Sequence, residues 1–189
     1  MAPIMLLYLA SLPILIPLLY TSAFMAVIPF TQWVVIGMLL KVIGWSLGFI
    51  ALVKGEAKLY FRLEIFGTVV NTLGIMLGYY FWGLEGVGVA FVITYVVYVT
   101  YMYIFYNRRF GISFSRAFIY VFAVQQSLCV VAFLSVKFLP SAFGYTIGIV
   151  ALIASSMFSL YELNKRIDIK EILKSFIEKR RAKMLPDNE

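Results

Sequence analysis

Apolar positions along the chain gather into six long runs, roughly Ala2–Tyr20, Val27–Val53, Leu59–Trp82, Val87–Tyr106, Ala117–Leu139 and Phe143–Tyr161. Each approaches or exceeds the ~20 residues that carry a helix across a bilayer. The breaks between them are short and hold the turn formers and charges: Thr21–Ala26, Lys54–Lys58, Gly83–Gly86, Asn107–Arg116 and Pro140–Ala142. The first run is the weakest helix, because Pro3, Pro13 and Pro17 cross it and free backbone carbonyls that neighbouring helices must satisfy. It lacks a basic leader, so it reads as a span and not as a cleavable signal. The second and third runs are long enough to tilt or to overrun the bilayer edge.

Lys and Arg alternate with these runs. Lys54, Lys58 and Arg62 flank the second break, Arg108, Arg109 and Arg116 the fourth, and eight more follow Asn164. Only Lys137 falls on the other side, and Lys41 lies inside a run. Cationic loops stay cytoplasmic, so a multi-pass topology with both termini in the cytoplasm is expected.

Composition agrees. With 63% apolar and 13% charged residues, and a mean hydropathy of +0.95, the chain departs from the roughly 45–50% apolar and 25% charged of soluble domains. The expected fold class is all-α integral membrane: about six transmembrane helices over residues 1–163, then a cytoplasmic basic amphipathic tail over 164–189. The net charge is +7, and eight of the sixteen Lys and Arg sit in that tail, which points to anionic lipid and not to nucleic acid. In the tail, Asp168 and Glu171 have capping-box spacing. Ile169, Ile172, Leu173, Phe176 and Ile177 then share one face of an interfacial helix.

Small residues four apart, Gly44/Gly48, Gly74/Gly78 and Gly144/Gly148, let helix backbones approach closely, and packing within the chain is the simpler use. Tyr79, Tyr80, Phe81 and Trp82, with Tyr101, Tyr103 and Tyr106, fall at run ends as an aromatic belt would.

Chemistry is sparse. The chain has no His and one Cys, Cys129, so hydrolytic triads, Cys/His metal sites and internal disulfides are not expected. No phosphate-loop pattern occurs. Enzyme activity, cofactors and catalytic residues are not expected. The informative residues are polar ones inside the runs, where an ionisable group is costly and marks function by default. Lys41 stands twelve residues before Val53 and Asn71 twelve after Leu59, each ~18 Å along a helix from the basic edge. They are expected to face one polar cavity. Two uses of Lys41 stay open: attraction of an anion such as a phosphate or carboxylate, or pairing with Glu64 or a backbone carbonyl to orient helices. Glu64 and Arg62 lie nearer the basic edge, where Glu64 has Arg62 and Lys58 as partners and Arg62 serves as an anchor. Gln125 and Gln126 suit interhelical hydrogen bonds.

Three stretches carry a resemblance: Leu12-Pro13-Ile14-Leu15-Ile16-Pro17-Leu18-Leu19-Tyr20 with Ser22-Ala23-Phe24; Lys54-Gly55-Glu56-Ala57-Lys58-Leu59-Tyr60-Phe61-Arg62-Leu63-Glu64 with Asn71; and Gly78-Tyr79-Tyr80-Phe81-Trp82-Gly83-Leu84-Glu85-Gly86-Val87-Gly88-Val89-Ala90. From about residue 10 to 116 the chain resembles lipid-linked oligosaccharide flippases. These form the polysaccharide-biosynthesis (O-antigen translocase) branch of the multidrug/oligosaccharidyl-lipid/polysaccharide exporter superfamily. The resemblance implies a two-lobed, fourteen-span transporter of which this chain matches the last six spans. The chain is thus expected to be a C-terminal portion, with an N-terminal half or partner subunit elsewhere. It implies translocation of undecaprenyl-diphosphate-linked glycan units across the bacterial inner membrane for surface polysaccharide. Lys41 would contact the pyrophosphate, and Arg62, Glu64 and Asn71 would support the cavity or gate. A non-transporting scaffold for glycosyltransferases and a drug/cation antiporter of the same superfamily are the alternatives.

Overall fold

The computed structural model describes residues 1–19, 22–139 and 141–166, all helical or in short connections, with no strand among them. The order is α1 (Ala2–Leu19), a 3-10 turn (Ser22–Ala26), α2 (Val27–Val53), α3 (Ala57–Phe110), α4 (Arg116–Phe138) and α5 (Ser141–Arg166). Four stretches are long and apolar enough to cross a membrane: Phe24–Val53, Ala57–Phe110, Arg116–Phe138 and Phe143–Lys165. Ala2–Leu18 is a shorter apolar helix. The chain is an all-α protein that fits a membrane location. The tail expected to begin at Asn164 starts as a continuation of α5, and its amphipathic stretch from Asp168 lies outside the described residues.

The 54 residues of α3 do not run straight. At Trp82 (φ −133°, ψ 16°) and Gly83 (φ 60°, ψ −142°) the backbone leaves the helix. Thr94 Oγ1 lies 3.2 Å from Asn71 Oδ1, residues that an unbroken helix would hold ~35 Å apart. α3 is therefore a hairpin with arms 57–81 and 84–110. Gly83 makes the bend because its positive φ is open only to a residue without Cβ. Gly78 lets the arms touch: a Cβ there would collide with the Gly86 carbonyl oxygen and stand 2.7 Å from Ala90 Cβ. The break expected at Gly83–Gly86 is thus narrower, and Gly86 and Gly88 are helical.

Two other junctions follow the same logic. After α2, Gly55 (φ 75°) receives a paired cap in which Glu56 N–H bonds the Ala51 carbonyl and Gly55 N–H the Leu52 carbonyl. After α3, Gly111 (φ 63°) caps through its N–H on the Asn107 carbonyl, and the Ser115 hydroxyl accepts Phe118 N–H to start α4.

Helix α2 stands at the centre. Its C-terminal half packs on the α3 hairpin through Ile43, Leu47, Ala51, Leu63, Tyr98, Met102 and Tyr106. Its N-terminal half meets α1 and α4 in a second cluster of Leu6, Leu9, Leu12, Val35, Ile36, Cys129 and Phe133, to which α5 adds Ala151. In α1 the residues at helical spacing, Leu6, Leu9 and Leu12, are fully buried, so neighbours hold this helix despite Pro13 and Pro17 inside it. Each of those prolines removes one backbone bond.

The small-residue pairs serve packing within the chain. Gly44 meets Tyr98, Gly48 Tyr60, Gly74 Thr94, and Gly144 the Ser135 backbone. Tyr79, Tyr80, Phe81 and Trp82 are exposed around the bend, whereas Tyr106 is 1% exposed. Tyr106 is a core residue and not a belt anchor, because the second arm turns it onto Met102 and the α2 face.

Candidate functional site

The bend makes α3 nearly symmetric about itself. Asn71 and Thr94 are each eleven residues from it, and Gly67 and Tyr98 each fifteen, counted from Trp82 and Gly83. Opposed residues meet across the arms. A Cβ on Gly67 would lie 2.5 Å from Tyr98 Cε2, and one on Gly44 of α2 3.1 Å from Tyr98 Cε1. Two glycines on two helices thus grip one tyrosine ring and deliver its hydroxyl toward Glu64, 3.5 Å from Oε2.

Around this contact lies a recess of about 90 Å³ lined by Trp45, Glu64, Gly67, Thr68, Asn71, Thr94, Tyr95 and Tyr98. A ligand pocket usually has ~300–1,000 Å³; this space fits a few waters or one polar group of a larger molecule. Asn71 receives the Thr94 hydroxyl at its oxygen, which aligns the two arms at mid-length. Glu64, Thr68 and Asn71 follow one another at i, i+4 and i+7, so the first arm presents one polar face to the recess.

Lys41 reaches the edge of the same space from α2. Its ammonium stands over the ring of Trp45 at 5.1 Å and 6.0 Å from the rings of Tyr95 and Phe91. Trp45 and Tyr95 also line the recess. Among the described residues no carboxylate lies within ion-pair distance of Lys41. The aromatic faces carry it, an attraction of ~0.5–2 kcal/mol, and the charge stays unneutralised. Of the two uses open for Lys41, the Glu64 pair is not formed. Glu64 likewise pairs with neither Arg62 nor Lys58. Arg62 is exposed and outside the recess lining. The structure therefore brings Glu64 and Asn71 into one recess, with Lys41 on the Trp45 and Tyr95 rings at its edge, and leaves Arg62 apart, since Arg62 is two positions, about 200° of helix, from Glu64.

Trp45, Tyr95, Tyr98, Thr68 and Thr94 escaped the sequence reading. The available signal was the fold-back itself: once Gly83 is taken as a hairpin centre, Thr94 and Tyr98 fall opposite Asn71 and Gly67.

Elsewhere, polar groups bond between helices. Ser155 Oγ donates to Gln125 Oε1 at 2.5 Å, and Gln125 Nε2 reaches the Ser155 carbonyl at 3.4 Å, both residues buried between α4 and α5. Gln126 Nε2 reaches the Ile36 carbonyl of α2 at 3.4 Å. The glutamines make the interhelical bonds expected of them. At the α3 bend, Glu85 Oε1 accepts from both Trp33 Nε1, at 3.0 Å, and Lys137 Nζ. Lys137 also sits 4.9 Å over the Trp33 ring. This node ties α2, α3 and α4 at the end opposite the Gly55 and Gly111 turns.

Comparison with protein-family models, with curated proteins and with solved structures yields no match.

Proposed function

We propose that this chain is a flippase subunit, or the C-terminal portion of a flippase, that moves undecaprenyl-diphosphate-linked oligosaccharide across the bacterial inner membrane. In this reading α1, α2, both arms of α3, α4 and α5 each cross, which makes six spans with both termini on the cytoplasmic, basic side. The observation that carries it is the recess between α2 and α3, lined by a carboxylate, an amide and hydroxyls, with Lys41 held without a carboxylate partner on the aromatic rings at its edge. A half-buried cation with no carboxylate partner suits a substrate phosphate, and polar lining nearby suits a glycan. Because α3 is a hairpin, rocking of its arms against α2 would widen this space toward one side at a time. A membrane scaffold has no use for such a charge.

The test is complementation of a translocase-deficient strain at equal expression of each variant. Lys41→Ala is expected to abolish surface polysaccharide, whereas Arg62→Ala retains it. Wild-type polysaccharide with Lys41→Ala removes the pyrophosphate role. Cysteines placed at Trp82 and Arg109 are expected to label from opposite sides of the membrane; labelling from one side breaks the six-span topology.

A further inference from the structure

A second site lies away from the recess, on the outer surface of the second α3 arm. Ile93, Val97, Tyr101, Ile104 and Arg108 follow at spacings of four, four, three and four, which keeps them on one helix face. All five are exposed, the apolar ones between 41% and 57%. The stripe runs ~22 Å from Arg108 to Ile93, about the length of an extended acyl chain. Its wide end is a groove of about 450 Å³ lined by Tyr101, Ile104, Phe105, Arg108 and Arg109. Phe66 of the first arm borders it, with its ring centroid 4.6 Å from that of Tyr101.

The two arginines at its head differ. Arg109 donates to Glu56 Oε2 at 2.7 Å, and its guanidinium lies 6.0 and 5.6 Å from the Phe105 and Phe110 rings. That bond neutralises it and closes the hairpin. Arg108 has no hydrogen-bond or ion-pair partner among the described residues. A free guanidinium therefore tops an apolar track at the helix end that carries most of the basic residues. A zwitterionic headgroup gains little there, because its own cation competes. A soluble anion leaves the track empty.

We propose that this groove binds an anionic glycerophospholipid, with its phosphate on Arg108 and one acyl chain along Ile104, Val97 and Ile93. The test uses the full chain purified in detergent and titrated with dioleoyl phosphatidylglycerol, dioleoyl phosphatidylcholine or inorganic phosphate, with bound lipid counted by native mass spectrometry. Phosphatidylglycerol is expected to be retained in preference to phosphatidylcholine. Arg108→Gln should weaken it about five-fold, the effect of one interfacial cation, and Ile104→Trp should block the groove with the charge intact. Arg62→Gln should change nothing. Unaltered binding by Arg108→Gln, equal loss with Arg62→Gln, unaltered binding by Ile104→Trp, or displacement of the lipid by millimolar phosphate each overturns the proposal.

Discussion

Two regions of this chain carry polar groups within apolar helices, and they treat them in opposite ways. Between α4 and α5, Gln125 and Ser155 satisfy one another twice over, and neither is accessible. Between α2 and α3, Lys41 faces aromatic rings, Glu64 has only a long contact from Tyr98, and a recess remains between them. The first arrangement is what helix association requires: each polar group finds its partner, and nothing is left to bind. The second leaves charge unspent in a medium where charge is expensive. A sealed pair stabilises the bundle, while an open set is tolerated only where something else uses it.

The hairpin that creates the open region is the place to break the contrast hardest. Gly78→Ala puts a methyl group against the Gly86 carbonyl and Ala90. Backbone cannot step aside as a side chain would, so a loss of about 3 kcal/mol in folding stability is expected. Reversible unfolding in mixed micelles measures it, and stability equal to wild type would mean the arms do not touch there.

Next comes the sealed pair. Ser155→Ala or Gln125→Leu alone strands a buried partner and should cost about 2 kcal/mol. The double variant should recover most of that, since both polar groups then leave together. Additive losses in the same unfolding assay would show that the two groups do not depend on each other.

The smallest effect sharpens the comparison most. Lys41→Met keeps the apolar stem; the cation–aromatic attraction it loses is offset by removal of a charge that is costly among apolar helices, so stability should change by no more than about 0.5 kcal/mol in either direction. Paired with loss of complementation, that result separates a charge kept for use from one kept for folding. A loss above about 2 kcal/mol would place Lys41 with the sealed groups.

Much of the fold is legible in the residue pattern. The runs, the glycine-marked turns at Gly55, Gly83 and Gly111, and the basic residues at one set of turns follow from hydropathy and backbone preference, which are local properties. The glutamines also read correctly, because an amide inside an apolar helix has few outlets besides a neighbouring helix. The misreadings share a cause. Tyr106 resembles a belt tyrosine by position along its run, but which way a ring points depends on the register of the hairpin. Arg62 has a cavity role only in what the family resemblance implies, and it lies outside the recess because two positions along a helix face apart. The rest of the recess, Trp45, Tyr95 and Tyr98, consists of aromatics that are indistinguishable from core residues until the arms are folded together.

Sequence alone therefore determined that this is a chain of long apolar helices with a cation and an amide at mid-length, because burial of apolar surface and the cost of buried charge act residue by residue. Tertiary structure decided which of those polar groups meet. Asn71 found Thr94, Gln125 found Ser155, and Lys41 came to rest on aromatic rings without a carboxylate partner. That choice belongs to the bend at Gly83 and to close packing at Gly44, Gly67 and Gly78, where the absence of a side chain sets how near, and in what register, two helices lie.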